Sequence, residues 1–207
     1  MKLQISFDDL ILEKNIEMAQ QVVHYCDVLV IGTLPLFKHG LTILERFRKE
    51  FPDKTIFTDC KIVNKGRDAA ALFSLAGTDW ISVVAGTNRE VIHGACSKAH
   101  DLGKKVILDF INAGTPGQET LEAKSLGADA ILLHQPADSK DDLVFFEQWE
   151  MVKGNTSLPI IIATKRGREN LTKLCTFNPD SIIVGKSITD TTDPVAEAQF
   201  FYDQCKL

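Results

Sequence analysis

Eight short apolar runs, each followed by a longer segment of mixed polarity, leave this 207-residue chain few folds to choose from. The runs are "LQISF" (3–7), "VLVIG" (28–32), "KTIFTD" (54–59), "WISVV" (80–84), "KVILDF" (105–110), "AILLH" (130–134), "PIIIA" (159–163) and "SIIVG" (181–185). They are nearly continuous in apolar residues, as strands buried on both faces are. The segments between them, such as 41–51 and 88–103, carry helical spacing. Gly or Asn punctuates the return to several strands, at "AGTD" (76–79), "LGK" (102–104), "LGAD" (126–129) and "NPD" (178–180). Such residues cap helix C-termini in the left-handed conformation.

Strands alternating with helices through short loops read as βαβ units and a parallel sheet. Eight units predict a (β/α)8 TIM barrel, an α/β fold, as one domain over 1–207, near the short end of the size range for that fold. A doubly wound open sheet is the alternative, but no G-x-G-x-x-G follows the first run. The net charge of −5, without a dominant basic run, argues against nucleic acid or an anionic membrane as partner. No apolar run nears the roughly 18 residues of a membrane helix. Five scattered cysteines without C-x-x-C, and an N-terminus that turns charged at once, point to a cytoplasmic protein with reduced thiols.

A barrel carries its chemistry at the C-terminal ends of its strands. Polar residues expected there are Asp8 and Asp9, Thr33, Asp59, Lys61 and Asn64, Asp109 and Asn112, then His134 and Asp138. Asp59 and Lys61 stand two apart, so one strand face can carry both. Each favours the charged form of the other, and such a pair can hold a hydroxyl, move a proton or steady an enediolate. A plain ion pair at a strand end is the simpler reading. Asp8, Asp109 and His134 on the same rim favour function. Lys165 and Arg166 after the seventh strand, with Gly185 and Lys186 after the eighth, stand where barrels often bind phosphate. A solvated loop containing these residues and Arg168 is the alternative. His24, His39, His93 and His100 read as surface or packing residues, and the phenylalanine pairs at 145–146 and 200–201 as core.

"DCKIVN" (59–64) resembles the D-x-K-x-x-D motif of the orotidine-monophosphate decarboxylase suprafamily. Within it the chain looks most similar to the 3-hexulose-6-phosphate synthase and 3-keto-L-gulonate-6-phosphate decarboxylase family. The likeness spans nearly the whole chain, including "MKLQISFD", "DVLVIGT", "VILDFIN", "LGADAILLH" and "DSIIVGKSIT". It implies a (β/α)8 barrel and a homodimer with active sites at the interface. It also implies a sugar-phosphate substrate and an enediolate steadied by magnesium. The synthase joins formaldehyde to ribulose 5-phosphate, and the decarboxylase removes carbon dioxide from a keto-acid phosphate. By match, Asp8, Asp59, Lys61, Asn64, Asp109 and His134 would form the active site. Lys61 would stabilise or protonate the intermediate, His134 would move protons, and Asp59 would meet the metal.

The chain departs from the family at four places. Val30 stands where the family has a magnesium-binding Glu, and Asn64 where it has the last Asp of the motif. Ala137 replaces an Arg of the decarboxylase, and Thr164-Lys165 replaces a phosphate-gripping Gly-Gly. Loss of two carboxylates weakens a site for a hard cation. The expectation is therefore a lyase of the synthase type. A decarboxylase-like enzyme and a silent sugar-phosphate-binding paralogue are the alternatives.

Overall fold

A computed structural model describes residues 1–134, 144–165 and 167–207, with the backbone alone for 144–147. Eight parallel strands close into a barrel in chain order. They are β1 (Lys2–Phe7), β2 (Val28–Ile31), β3 (Thr55–Ile62), β4 (Trp80–Val84), β5 (Lys105–Asp109), β6 (Ala130–Leu133), β7 (Ile160–Thr164) and β8 (Ser181–Val184). Closure comes from β1 pairing with β8, Leu3 beside Ile182 and Ile5 beside Val184. The fold is the (β/α)8 barrel that the alternating periods predict. One boundary differs in a way that matters. β3 continues three residues beyond the expected Asp59 to Ile62, so the Asp59–Lys61 pair lies within the strand.

Helices α1 (Leu12–Val22), α2 (Thr33–His39), α3 (Thr42–Glu50), α4 (Gly66–Leu75) and α5 (Arg89–Asp101) cover the first half. The second half carries α6 (Pro116–Leu126), α7 (Val144–Lys153), α8 (Gly167–Phe177), α9 (Lys186–Thr189) and α10 (Pro194–Lys206). Their apolar faces pack on the outside of the barrel around Phe7, Leu29, Phe47, Ile81, Leu108, Ile131 and Phe201, all essentially buried. A second, smaller cluster fills the barrel interior: Val30, Phe57, Ile107, Ala130, Leu132, Ile161 and Ile183. Both faces of the strands are thus apolar, which is why the runs show no polar alternation. Among the described residues no helix is long and apolar enough to cross a membrane.

The punctuating residues adopt the expected left-handed conformation: Gly77, Gly103, Gly127 and Asn178 all have positive φ. At Gly127 a Cβ would also lie 2.9 Å from the Cβ of Cys96, so conformation and space both demand glycine there. Four aspartates that stand just before strands act alike at the N-terminal rim. Asp27, Asp79, Asp129 and Asp180 precede β2, β4, β6 and β8, and each carboxylate accepts the backbone N–H of Leu3, Ile56, Val106 or Ile160 at 2.8–3.0 Å. Each aspartate's own N–H is donated back to the carbonyl of that same residue. Four aspartates therefore clamp each odd strand to the strand that follows it.

Candidate active site

The C-terminal rim opens into a cavity of about 610 Å³. Its floor is apolar, built from Val30, Phe57, Leu132, Ala163 and Ile183, and its wall carries Asp8, Thr33, Asp59, Lys61 and His134. The centre of that wall is the Lys61 ammonium. Its Nζ donates to Asp59 Oδ2 at 2.6 Å and to Asp109 Oδ2 at 3.1 Å, and stands 3.5 Å from His134 Nδ1. His134 Nδ1 is 3.3 Å from Asp109 Oδ2. Three strands thus contribute: β3 gives the acid and the lysine, β5 ends on Asp109, and His134 follows β6.

Backbone geometry explains how these groups are held. Asp109 is fully buried, and its second oxygen accepts the N–H of Ile111 at 2.9 Å. Asp59 Oδ1 accepts from Ser82 Oγ at 2.9 Å, while Oδ2 also receives Thr33 Oγ1 at 3.1 Å. Asp8 follows β1 and accepts from Ser6 Oγ at 2.8 Å. Gly32 makes room for it, since a Cβ there would come within 1.8 Å of Asp8 Oδ1.

The charges follow from these contacts. Burial alone would lower the pKa of Lys61, but the charges of Asp59 and Asp109 and their hydrogen bonds outweigh it and raise the pKa above the ordinary lysine value. Lys61 is therefore a fixed cation at neutral pH. Burial would raise the Asp109 carboxyl, but the hydrogen bond and charge of His134, with those of Lys61, hold it below the usual carboxylate range. The Asp8 carboxyl is pushed up, chiefly by burial, against the lowering effect of Ser6 and with a contribution from the charge of Asp59. Cys60, between Asp59 and Lys61, is no nucleophile: burial pushes its thiol up to about 12.

Other expected site residues fall in different places. Lys165, Gly185 and Lys186 line the cavity at the ends of β7 and β8, beside Thr164, and Gly185 lies next to Asp8. The Thr164 hydroxyl is buried and finds no hydrogen-bond partner among the described residues. Asn64 is exposed in the loop after β3, and its Oδ1 accepts the N–H of Lys65 at 2.8 Å, away from its own chain's cluster. Asp9 belongs to the β1–α1 loop, where it bonds Ile11 and Asn15. Arg168 sits on α8, where it pairs with Glu197 and lies over the Phe200 ring. Arg166, Ala137, Asp138 and the side chains of 145–146 lie outside the described residues. Ser82 and Ser6 carry no signal in the sequence: a serine inside an apolar run is unremarkable until its partner is known, Asp59 across the sheet for Ser82 and Asp8 two residues on for Ser6.

The chain matches the orotidine 5'-phosphate decarboxylase / HUMPS family over residues 1–201. The chain belongs to that family. It is 30% identical over 200 residues to 3-hexulose-6-phosphate synthase of Bacillus subtilis (strain 168), covering 96% of this chain and 95% of the relative. It is 29% identical to that of Methylomonas aminofaciens, with 94% of each chain covered. The crystal structure of 3-hexulose-6-phosphate synthase from Salmonella typhimurium superposes with a TM-score of 0.92 at 25% identity, over 100% of this chain and 99% of that one.

Family membership raises the question of a metal. Among the described residues, one group of three metal-type donors lies close together: Asp59, Asp109 and His134, within 4.8 Å of one another. The Lys61 ammonium already stands within hydrogen-bonding reach of all three. At the strand-2 position the cavity presents the Val30 side chain, which offers no ligand. Both oxygens of Asp59 are engaged within the protein. This donor set does not fit a resident magnesium ion.

Proposed function

We propose that the protein is a phosphosugar carbon–carbon lyase that joins formaldehyde to ribulose 5-phosphate through an enediolate. The observation that carries this reading is the Lys61 ammonium held between Asp59 and Asp109, beside His134, at the mouth of a barrel of this family. Removing a proton next to a ketone puts negative charge on its oxygen. A preorganised cation at that oxygen lowers the barrier most. Because its two carboxylates keep Lys61 charged, its role is to stabilise charge, and the base must be another group. His134 suits that part. An Nδ1–H donated to Asp109 leaves the Nε2 lone pair to take and return the proton. The enediolate carbon then attacks the aldehyde carbon, and the new C–C bond forms as the aldehyde oxygen gains a proton.

The phosphate belongs at the ends of β7 and β8. Lys165 and Lys186 supply cations there, Gly185 lets the backbone approach, and the Thr164 hydroxyl has a donor to give. Asn64, facing away from its own site, is read as reaching the site of a second copy.

The test is turnover of formaldehyde with ribulose 5-phosphate. Lys61→Ala is expected to lose about 10³-fold in kcat. It should also lose about 2 kcal/mol of stability, less than a fully buried pair because the lysine side chain is 22% exposed. Turnover in Lys61→Ala equal to wild type overturns the assignment. Val30 and Asn64 favour a second reading, a sugar-phosphate binder without turnover. Micromolar binding of ribulose 5-phosphate without any product would establish it instead.

A further inference from the structure

We propose that Ser82 is a positioning residue that sets both the root and the target of the Lys61 side chain; its kinetic consequence rests on the lyase reading above. Ser82 lies in β4 and is fully buried. Its hydroxyl donates its single proton to Asp59 Oδ1 at 2.9 Å and accepts the backbone N–H of Lys61 at 2.8 Å. One atom thus grips the carboxylate that the ammonium meets and the backbone from which the lysine springs. Its carbonyl also accepts the Cys60 thiol at 3.4 Å, so three consecutive β3 residues are tied to this one position.

The β3–β4 ladder shows why such a grip is needed. Its register pairs Thr58 with Ile81 but Ile62 with Val83, so four steps along β3 match two along β4. Within that bulge Lys61 takes φ 45°, a left-handed conformation uncommon for a residue with a Cβ. A bulged residue loses its regular ladder partner. The Ser82 hydroxyl replaces that partner and holds the strained turn in place. Without it, Lys61 can relax towards an ordinary strand conformation, which swings Nζ away from Asp59 and Asp109. Misplacement by about 1 Å at a reacting centre can cost about 10²-fold in rate.

The experiment compares Ser82→Ala, Ser82→Cys and Ser82→Thr with wild type. Ser82→Ala should lower kcat about 30-fold while KM for ribulose 5-phosphate stays within about threefold. Ser82→Thr, which keeps the hydroxyl, should return kcat to within about threefold of wild type. If the alanine protein does not fold, the near-isosteric Ser82→Cys, a weak hydrogen-bonding group, takes its place with the same expectation. Hydrogen exchange of the Lys61 amide reads the grip without turnover: it should speed up at least about tenfold in the alanine or cysteine variant and slow again in threonine. A folded alanine or cysteine variant with wild-type kcat, or an unchanged Lys61 amide, overturns the proposal. So does a threonine variant with a protected amide that stays as slow as alanine. A wild type with a protected amide but no lyase turnover defeats only the functional reading.

Discussion

Val30 stands where the family resemblance implies a magnesium-binding Glu. It is 2% exposed and belongs to the apolar interior cluster, yet it also borders the cavity that holds Asp59 and Lys61. A valine there keeps the floor dry and gives a cation nothing to bind. Asn64 stands where the resemblance implies a second carboxylate. Magnesium dependence of the wild type is therefore expected to be weak, since the carboxylates of Asp59 and Asp109 are both already engaged with Lys61. The double variant Val30→Glu, Asn64→Asp should bind magnesium at least about tenfold more tightly by calorimetry and gain turnover with formaldehyde and ribulose 5-phosphate. Tight binding in wild type that the double variant leaves unchanged would refute this account of the two substitutions.

At the scale of the elements, the four aspartate clamps are the devices that set strand against strand. Asp79 is the most heavily engaged. Besides the Ile56 N–H, it accepts from Lys104 Nζ at 3.0 Å and pairs with Arg48 of α3. Burial raises its pKa, but the Ile56 hydrogen bond, Lys104 and Arg48 together bring it below the ordinary aspartate value. A depressed carboxylate stabilises the fold above the unfolded pKa of about 3.9, and that contribution is lost as pH falls through the lower folded value. Asp79→Ala should cost about 1–2 kcal/mol, discounted for a side chain one-third exposed, and lower Tm by about 3–6 °C at pH 7. The gap in Tm between wild type and variant should close below about pH 4. Turnover at 25 °C should hold, because the clamp sits at the end of the barrel opposite the site. A gap that widens in acid would mean the sign of this linkage is wrong.

Of the eleven large hydrophobics exposed among the described residues, five stand at the cavity end of the barrel. Leu10, Ile11, Leu34, Phe37 and Val63 are 45–74% exposed, and they lie in the loop after β1, in α2 after β2 and in the loop after β3. They stand at the same end of the barrel as the cavity, beside the loop that carries Asn64. Large apolar side chains grouped at one end mark an interaction surface. A homodimer burying this end would cover them and bring one copy's Asn64 towards the other's mouth. Sedimentation at micromolar concentration should give a dimer, and Phe37→Glu, a charge on the most exposed of the five, should shift it to monomer and lower kcat. A wild-type monomer with full turnover would rule out a shared site.

Much of this was legible in the linear chain, for one reason: periodicity and turn chemistry are encoded among near neighbours. The eight apolar runs, the left-handed residues at Gly77, Gly103, Gly127 and Asn178, and the side-by-side Asp59 and Lys61 are all local features. So is the D-x-K-x-x-N signature that led to the family. The tertiary structure decided what depends on barrel closure and register. It brought Asp109 from β5 and His134 from β6 onto the Lys61 ammonium, 48 and 73 residues away in sequence. It turned Arg168 to Glu197 and left Asn64 outside its own site. It also set the buried Ser82 against Asp59 and Lys61 through a bulge in the β3–β4 ladder. No spacing rule announces that bulge, because a register shift is a relation between two strands.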